Sequence, residues 1–190
     1  LLGERSVGQI SIPTLGQTIL DFIVHYLGAS AAAFYARRSG TNGLERVASY
    51  GFRKELETTE QILDAGDSLV EQALLSRHII ELKDVPPDYV KINSGLGDAP
   101  PRFIVLVPVS HEGHTNGVIE LGFLHAPTAR DINFLTLVAP NIGNSLEMAL
   151  NRRRLQDSLE ETQPLHEELQ VQQEELRTAN AALEEQSRIR

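Results

Sequence analysis

The sequence predicts an α+β fold, a mainly antiparallel sheet flanked by helices and continued by a long C-terminal helix. Three observations predict it. Two pairs of β-type runs are joined by short turn-type segments, and that is the signature of hairpins. Other segments carry apolar residues three and four apart, the spacing of an amphipathic helix. From about Thr128 the chain turns helical and stays so, and its last stretch, "VQQEELRTANAALEEQSRIR", has helix-forming residues almost throughout and no turn chemistry.

Taken in order, "PTLGQTILDFIVHYL" places Leu15, Ile19, Phe22, Ile23 and Tyr26 on one stripe of a helix, with Gly28 as its stop. "ASAAAFYARR" and "LERVASYGF" read as strands, joined by the turn "SGTNGL". Asp67 or Ser68 caps a helix, "SLVEQALLSR", which turns Val70, Ala73 and Leu74 inward. "HIIEL" is a short strand. The connection "KDVPPDYVKINSGLGDAPP" has two Pro-Pro pairs and two glycines, which exclude a regular helix or a central strand. "RFIVLVPV" and "GVIELGFL" are apolar strands joined by "SHEGHTN". Pro108 confines itself to an edge, a bulge or a non-bonded position. Thr128 caps the last helix with Asp131 as its capping-box partner. Phe134, Leu135, Val138, Ile142 and Leu146 form its buried stripe.

The chain has 190 residues, enough for one well-buried domain and an appendage. Two segments are expected: a body over 1–151 and a helical rod over 152–190. A hydrophobic content of 41% fits a folded core. A net charge of −9 argues against a nucleic-acid partner, and the run Arg152 to Arg154 is a solvated helix face among acidic neighbours. With no cysteine there is no disulfide, thiolate metal site or cysteine nucleophile. The longest apolar runs fall far short of the roughly 20 residues of a membrane helix, so direct membrane insertion is not expected. The chain opens on Leu1 and stops within helix-type sequence at Arg190, and it reads as a piece of a larger polypeptide.

The order of elements resembles the GAF domain, a small-molecule-sensing module. "RFIVLVPVSHEGHTNGVIELGFL" looks like the central GAF hairpin. "VPPDYVKINSGLGDAPPR" looks like the preceding loop in GAF domains of bacterial hybrid sensor histidine kinases, and "EELQVQQEELRTANAALEEQ" like the helix leading on to the kinase core. The resemblance implies a ligand held between the sheet and the helix-plus-loop segment. The matching positions are Phe34, Tyr50, Phe52, Leu82, Tyr89 and Ile92, with aromatic and aliphatic walls suited to a small molecule. The same residues could instead fill a collapsed core. The cyclic-nucleotide signature Asn-Lys-Phe-Asp-Asn is absent, as are the cysteines of phytochrome-type and sulfoxide-reductase members.

No catalytic or metal site is expected. His111 and His114 stand three apart in a hairpin turn, not four apart on a helix as in zinc proteases. "GLGD", Gly95 to Asp98, lacks the lysine of a phosphate loop. Glu120 is the one carboxylate in an apolar strand, facing opposite to Ile119 and Leu121. It is either a surface residue, the favoured reading, or a polar contact in a cavity.

Leu155, Thr162, Leu169, Leu176 and Leu183 are spaced by sevens, half of a coiled-coil seam. Leu159 is the companion before Pro164; Leu165 and Ala179 serve after it. The frame shifts there, and a kink, or a new helix with Pro164 at its first position, is expected. The whole reads as a non-catalytic sensory and dimerisation module of a cytoplasmic histidine kinase, whose parent protein can be membrane-anchored. No cofactor is expected; an unidentified small molecule or a partner is the signal. The expected partners are a second copy through the helices and the downstream kinase module of the same chain. The alternatives are a connector without ligand, the input domain of another signalling enzyme such as a diguanylate cyclase, and an enzyme acting on a small molecule.

Overall fold

The computed structural model describes residues 11–38, 43–51, 62–63, 68–86, 92–94 and 97–188, with the backbone alone at 62–63, 92–94, 97–98, 182–183 and 185–187. The described elements are α1 (Ile12–Leu27), β1 (Ala31–Arg37), β2 (Leu44–Tyr50), β3 (Ile62–Leu63), α2 (Leu69–Ser76), β4 (Ile80–Lys83), β5 (Ile92–Ser94), β6 (Gly97–Ala99), β7 (Phe103–His111), β8 (His114–Phe123) and α3 (Ala129–Arg188). Six strands form one sheet in the order β3-β2-β1-β8-β7-β4, and every pairing in it is antiparallel. The expected α+β class is the class observed.

The caps follow the sequence closely. Ser11 and Ser68 accept bonds from the backbone N–H groups of Thr14 and Glu71, three residues on. Gly28 takes the left-handed conformation, φ 68°, and its N–H closes α1 on the Val24 carbonyl. At the start of α3, Asp131 Oδ2 accepts from the Thr128 N–H at 2.7 Å and the Thr128 hydroxyl accepts from the Asp131 N–H at 3.3 Å. This is the reciprocal capping box.

Four local readings are corrected. The β7–β8 turn is only Glu112-Gly113, with φ 47° and 79°, so both strands run longer than expected and His111 pairs with His114 across their ends. Two residues with positive φ give the hairpin twist that matches its strands. The long connection carries a separate two-stranded sheet, β5 with β6; Gly95 and Leu96 of "GLGD" lie outside the described residues. α3 runs on through Pro164 as one helix, so no new helix starts there. The fourth concerns α1. The residues it buries are Ile12, Gly16, Leu20, Ile23 and Val24, whereas Phe22 and Tyr26 are exposed. Gly16 is the cause. A Cβ there would meet Ala48, Val47 and Phe34 at 3.1–3.3 Å, so the helix lies close on β1 and β2 and turns Leu20 and Val24 inward. Pro108 fits its expected edge position, since β4 pairs with 103–106 and ends before it.

The chain divides into two compact units, 1–150 and 151–190. In the first, α1 and the early turns of α3 cover one face of the sheet, and Leu20, Phe34, Val107, Ile119, Leu121 and Leu146 pack there. On α3, Leu135, Ile142 and Leu146 are buried while Phe134 and Val138 are half-buried at the margin of the stripe. The other face lies under α2, where Ala33, Tyr35, Val70, Leu74, Leu106 and Val118 pack. The second unit is the remainder of α3. Its described leucines are all largely exposed, with Leu155 at 67% and Leu176 at 64%.

Candidate functional site

The alternation of β8 sends Val118 and Glu120 to the α2 face and Ile119 and Leu121 to the α1 face. Glu120 pairs with Ala33 on one side and Leu106 on the other, so its carboxylate stands at the centre of the sheet. It is half-buried on the covered face. The buried Tyr35 hydroxyl donates to Glu120 Oε2 over a long 3.4 Å. Around this pair the face is apolar: Val70, Ala73 and Leu74 from α2, and the half-buried Leu82 and Val85. A carboxylate and a phenol inside an apolar setting can orient a ligand that offers a donor or a positive charge.

The structure divides the expected pocket residues between the two faces. Phe34, fully buried, and Tyr50 belong to the α1 side; Phe34 is core, and the Tyr50 ring meets His25 edge-on. Leu82 and Glu120 belong to the α2 side. These four therefore do not line one cavity. Phe52 and Tyr89 lie outside the described residues, as does the Ile92 side chain. Sequence reasoning missed Tyr35, and alternation beside Phe34 was the signal that marks it.

A second polar group ties the β7–β8 hairpin to α3. The register shifts between Val109 and Ser110, which leaves Asn116 as an extra residue on β8. The bulge re-aims the Asn116 amide, which is buried and donates to the Gly143 carbonyl and to Glu147 Oε2, each at 3.0 Å. Its Oδ1 is buried and has no partner among the described residues. His111 Nδ1 donates to Asn144 Oδ1 at 2.6 Å, and His114 Nδ1 contacts the Glu112 carbonyl at 3.2 Å. The two histidines thus serve the hairpin. Among the described residues, no group of three or more His, Asp or Glu is placed to hold a metal ion, and no helix is long and apolar enough to cross a membrane.

The sequence pattern of the GAF domain matches residues 9–147. The chain belongs to the GAF domain family. GAF domains are sensory and regulatory modules of signalling proteins. Solved structures agree on the fold. The GAF domain of a phosphoenolpyruvate-protein phosphotransferase from Coxiella burnetii is 15% identical, with a TM-score of 0.63, covering 77% of this chain and 89% of that one. The GAF domain of a two-component sensor histidine kinase from Bacillus halodurans is 14% identical, with a TM-score of 0.56, covering 76% and 99%. The type II free methionine-R-sulfoxide reductase from Thermoplasma acidophilum is 18% identical, with a TM-score of 0.55, covering 70% and 89%. None of the curated proteins matches the chain.

Proposed function

We propose that this GAF domain is a non-catalytic sensory and dimerisation module of a bacterial sensor histidine kinase, located in the cytoplasm. The observation that carries the reading is the row of exposed leucines, spaced by sevens, on the part of α3 beyond residue 150. Leu155, Leu169 and Leu176 on the row and Leu159 and Leu165 beside it are each more than half exposed. Such a row is the seam that a second helix covers in a coiled coil. The likeness to the Bacillus histidine-kinase GAF domain supports the kinase setting, and the absence of cysteine separates this chain from cysteine-dependent reductases.

The signal is a small molecule or partner recognised at Tyr35 and Glu120, with Leu82 on the apolar wall. β8 is the path outward. It carries Glu120 to the ligand face and, four residues earlier, Asn116 to α3. A ligand that shifts β8 disturbs both hydrogen bonds that hold the helix. A thermal-shift screen of cationic and amine-bearing metabolites tests the sensory half. Specific binding at 100 times Kd adds about 2.7 kcal/mol of stability, and Glu120→Gln abolishes that gain. If no compound shifts the melt of a dimeric chain, the ligand-free connector is the correct reading.

A further inference from the structure

Within β8, Asn116 is followed directly by Gly117, and the structure requires both residues. Asn116 is 4% exposed, and its amide is the group that donates to the Gly143 carbonyl and to Glu147. Gly117 is buried beside it. A Cβ there would stand 2.6 Å from the Tyr35 carbonyl oxygen and 2.8 Å from the Leu146 side chain, so no side chain fits. The side-chain tie to α3 is therefore built on an Asn-Gly pair, and that pair is chemically labile. With no side chain to crowd the second residue, its backbone nitrogen can close on the asparagine side chain. A bond forms between the Gly117 nitrogen and Asn116 Cγ, and the Cγ–Nδ2 bond breaks. Ammonia leaves, taking the Gly117 amide proton, and a succinimide ring remains. Water then opens the ring at one carbonyl or the other to give aspartate or isoaspartate. Nothing is oxidised or reduced.

The fold holds this reaction back in two ways. Nδ2, the leaving group, is tied by its two 3.0 Å bonds. Ring closure also needs the backbone between the two residues to rotate, and Gly117 is paired on both sides, with Ala36 of β1 and Val109 of β7. β8 must leave its neighbours before the ring can form, a local opening of the sheet. Neither product restores the tie. Aspartate has no N–H to give, and it sets a carboxylate against the Gly143 carbonyl and the Glu147 carboxylate, three acceptors with no donor between them. Isoaspartate adds a methylene to the main chain, inside a strand whose side chains alternate by residue count.

We infer that Asn116 is a modification site, a deamidation site guarded by the sheet, which converts only when the β7–β8 hairpin opens and then cuts the side-chain tie to α3 irreversibly. The inference stands apart from the kinase and pairing readings above. In the test, the full chain is kept at neutral pH, once folded and once in denaturing urea. Peptide mapping by mass spectrometry follows conversion at Asn116 and separates it from the other Asn-Gly pair, Asn42-Gly43. A synthetic peptide of residues 114–120, "HTNGVIE", gives the unguarded rate. The chain in urea converts at the rate of the peptide, and the folded chain at least about a hundredfold more slowly, as the rarity of opening in the middle of a sheet requires. Conversion of the folded chain at the peptide's rate overturns the guard, and an inert peptide overturns the site. Asn116→Asp carries the product's side chain and tests the consequence. Amide hydrogen exchange over 143–147 of α3 speeds up at least about tenfold, as loss of two hydrogen bonds from a buried amide entails. Exchange unchanged from the parent chain overturns the release of α3. The comparison of rates holds whether or not that variant folds.

Discussion

Replacing Gly143 by alanine reverses the sign that helix propensity alone dictates. In the interior of a helix, Gly→Ala ordinarily stabilises by about 1 kcal/mol. Here the added Cβ would stand 2.6 Å from the Ser110 carbonyl carbon and 2.7 Å from its nitrogen, with the carbonyl oxygen closer still. Ordinary contact begins at 3.4 Å, so helix and strand must part by at least roughly 0.8 Å. Neither is free to move. Ser110 is held in β7 by its pairing with Thr115, and the helix is held by the two 3.0 Å bonds from Asn116. Stretching those bonds past 3.5 Å breaks them and strands a buried amide. Overpacking costs about 1–3 kcal/mol and the lost bonds about 1–3 more. Against the propensity gain, the net destabilisation is about 1–5 kcal/mol. Urea unfolding followed by circular dichroism then shows a midpoint lower by roughly 0.5–2.5 M at a slope near 2 kcal/mol per molar. A midpoint equal to or above that of the unmodified chain refutes the close approach of α3 to β7.

Asn116→Ala removes both bonds to α3 together with the unpartnered Oδ1, and lowers stability by about 1–3 kcal/mol in the same urea titration. Thr128→Ala takes away the hydroxyl that caps α3 and costs about 0.5–2 kcal/mol, read from the melting temperature. Gly51→Ala forces an L side chain to φ 77° against the Ser30 carbonyl, and it destabilises by at least about 1 kcal/mol in a thermal melt; an unchanged melt would refute the tight β2 exit.

Caps and hairpins were legible because each is decided within a few residues. Ser68, Gly28 and the Thr128–Asp131 pair act where they stand, whatever the rest of the chain does. The face that α1 buries was not legible. Its sequence carries apolar residues on more than one side, and the choice between Phe22 inward and Leu20 inward is made by β2, through the space that Gly16 leaves for Val47 and Ala48. The orientation of Asn116 was hidden for a related reason. Strict alternation would send it to the face opposite Gly117, and only the bulge, a property of two strands together, turns it to the helix.

The candidate site shows the same division between local and paired information. Glu120 could be picked out in sequence, because one carboxylate in an apolar strand must have some account. Whether its face meets water or a helix depends on where α2 lands, and α2 is far away in the chain. Read as a surface strand, β8 would present Glu120 to solvent. Covered by Val70, Ala73 and Leu74, the same alternation encloses it with Tyr35. The Tyr35 hydroxyl donates to this half-buried carboxylate, and where packing alone was needed a Val or Leu would serve at least as well. The retained polar pair on the α2 face, together with the helix-binding Asn116 on the same strand, is therefore the feature a sensory reading explains and a pure connector does not.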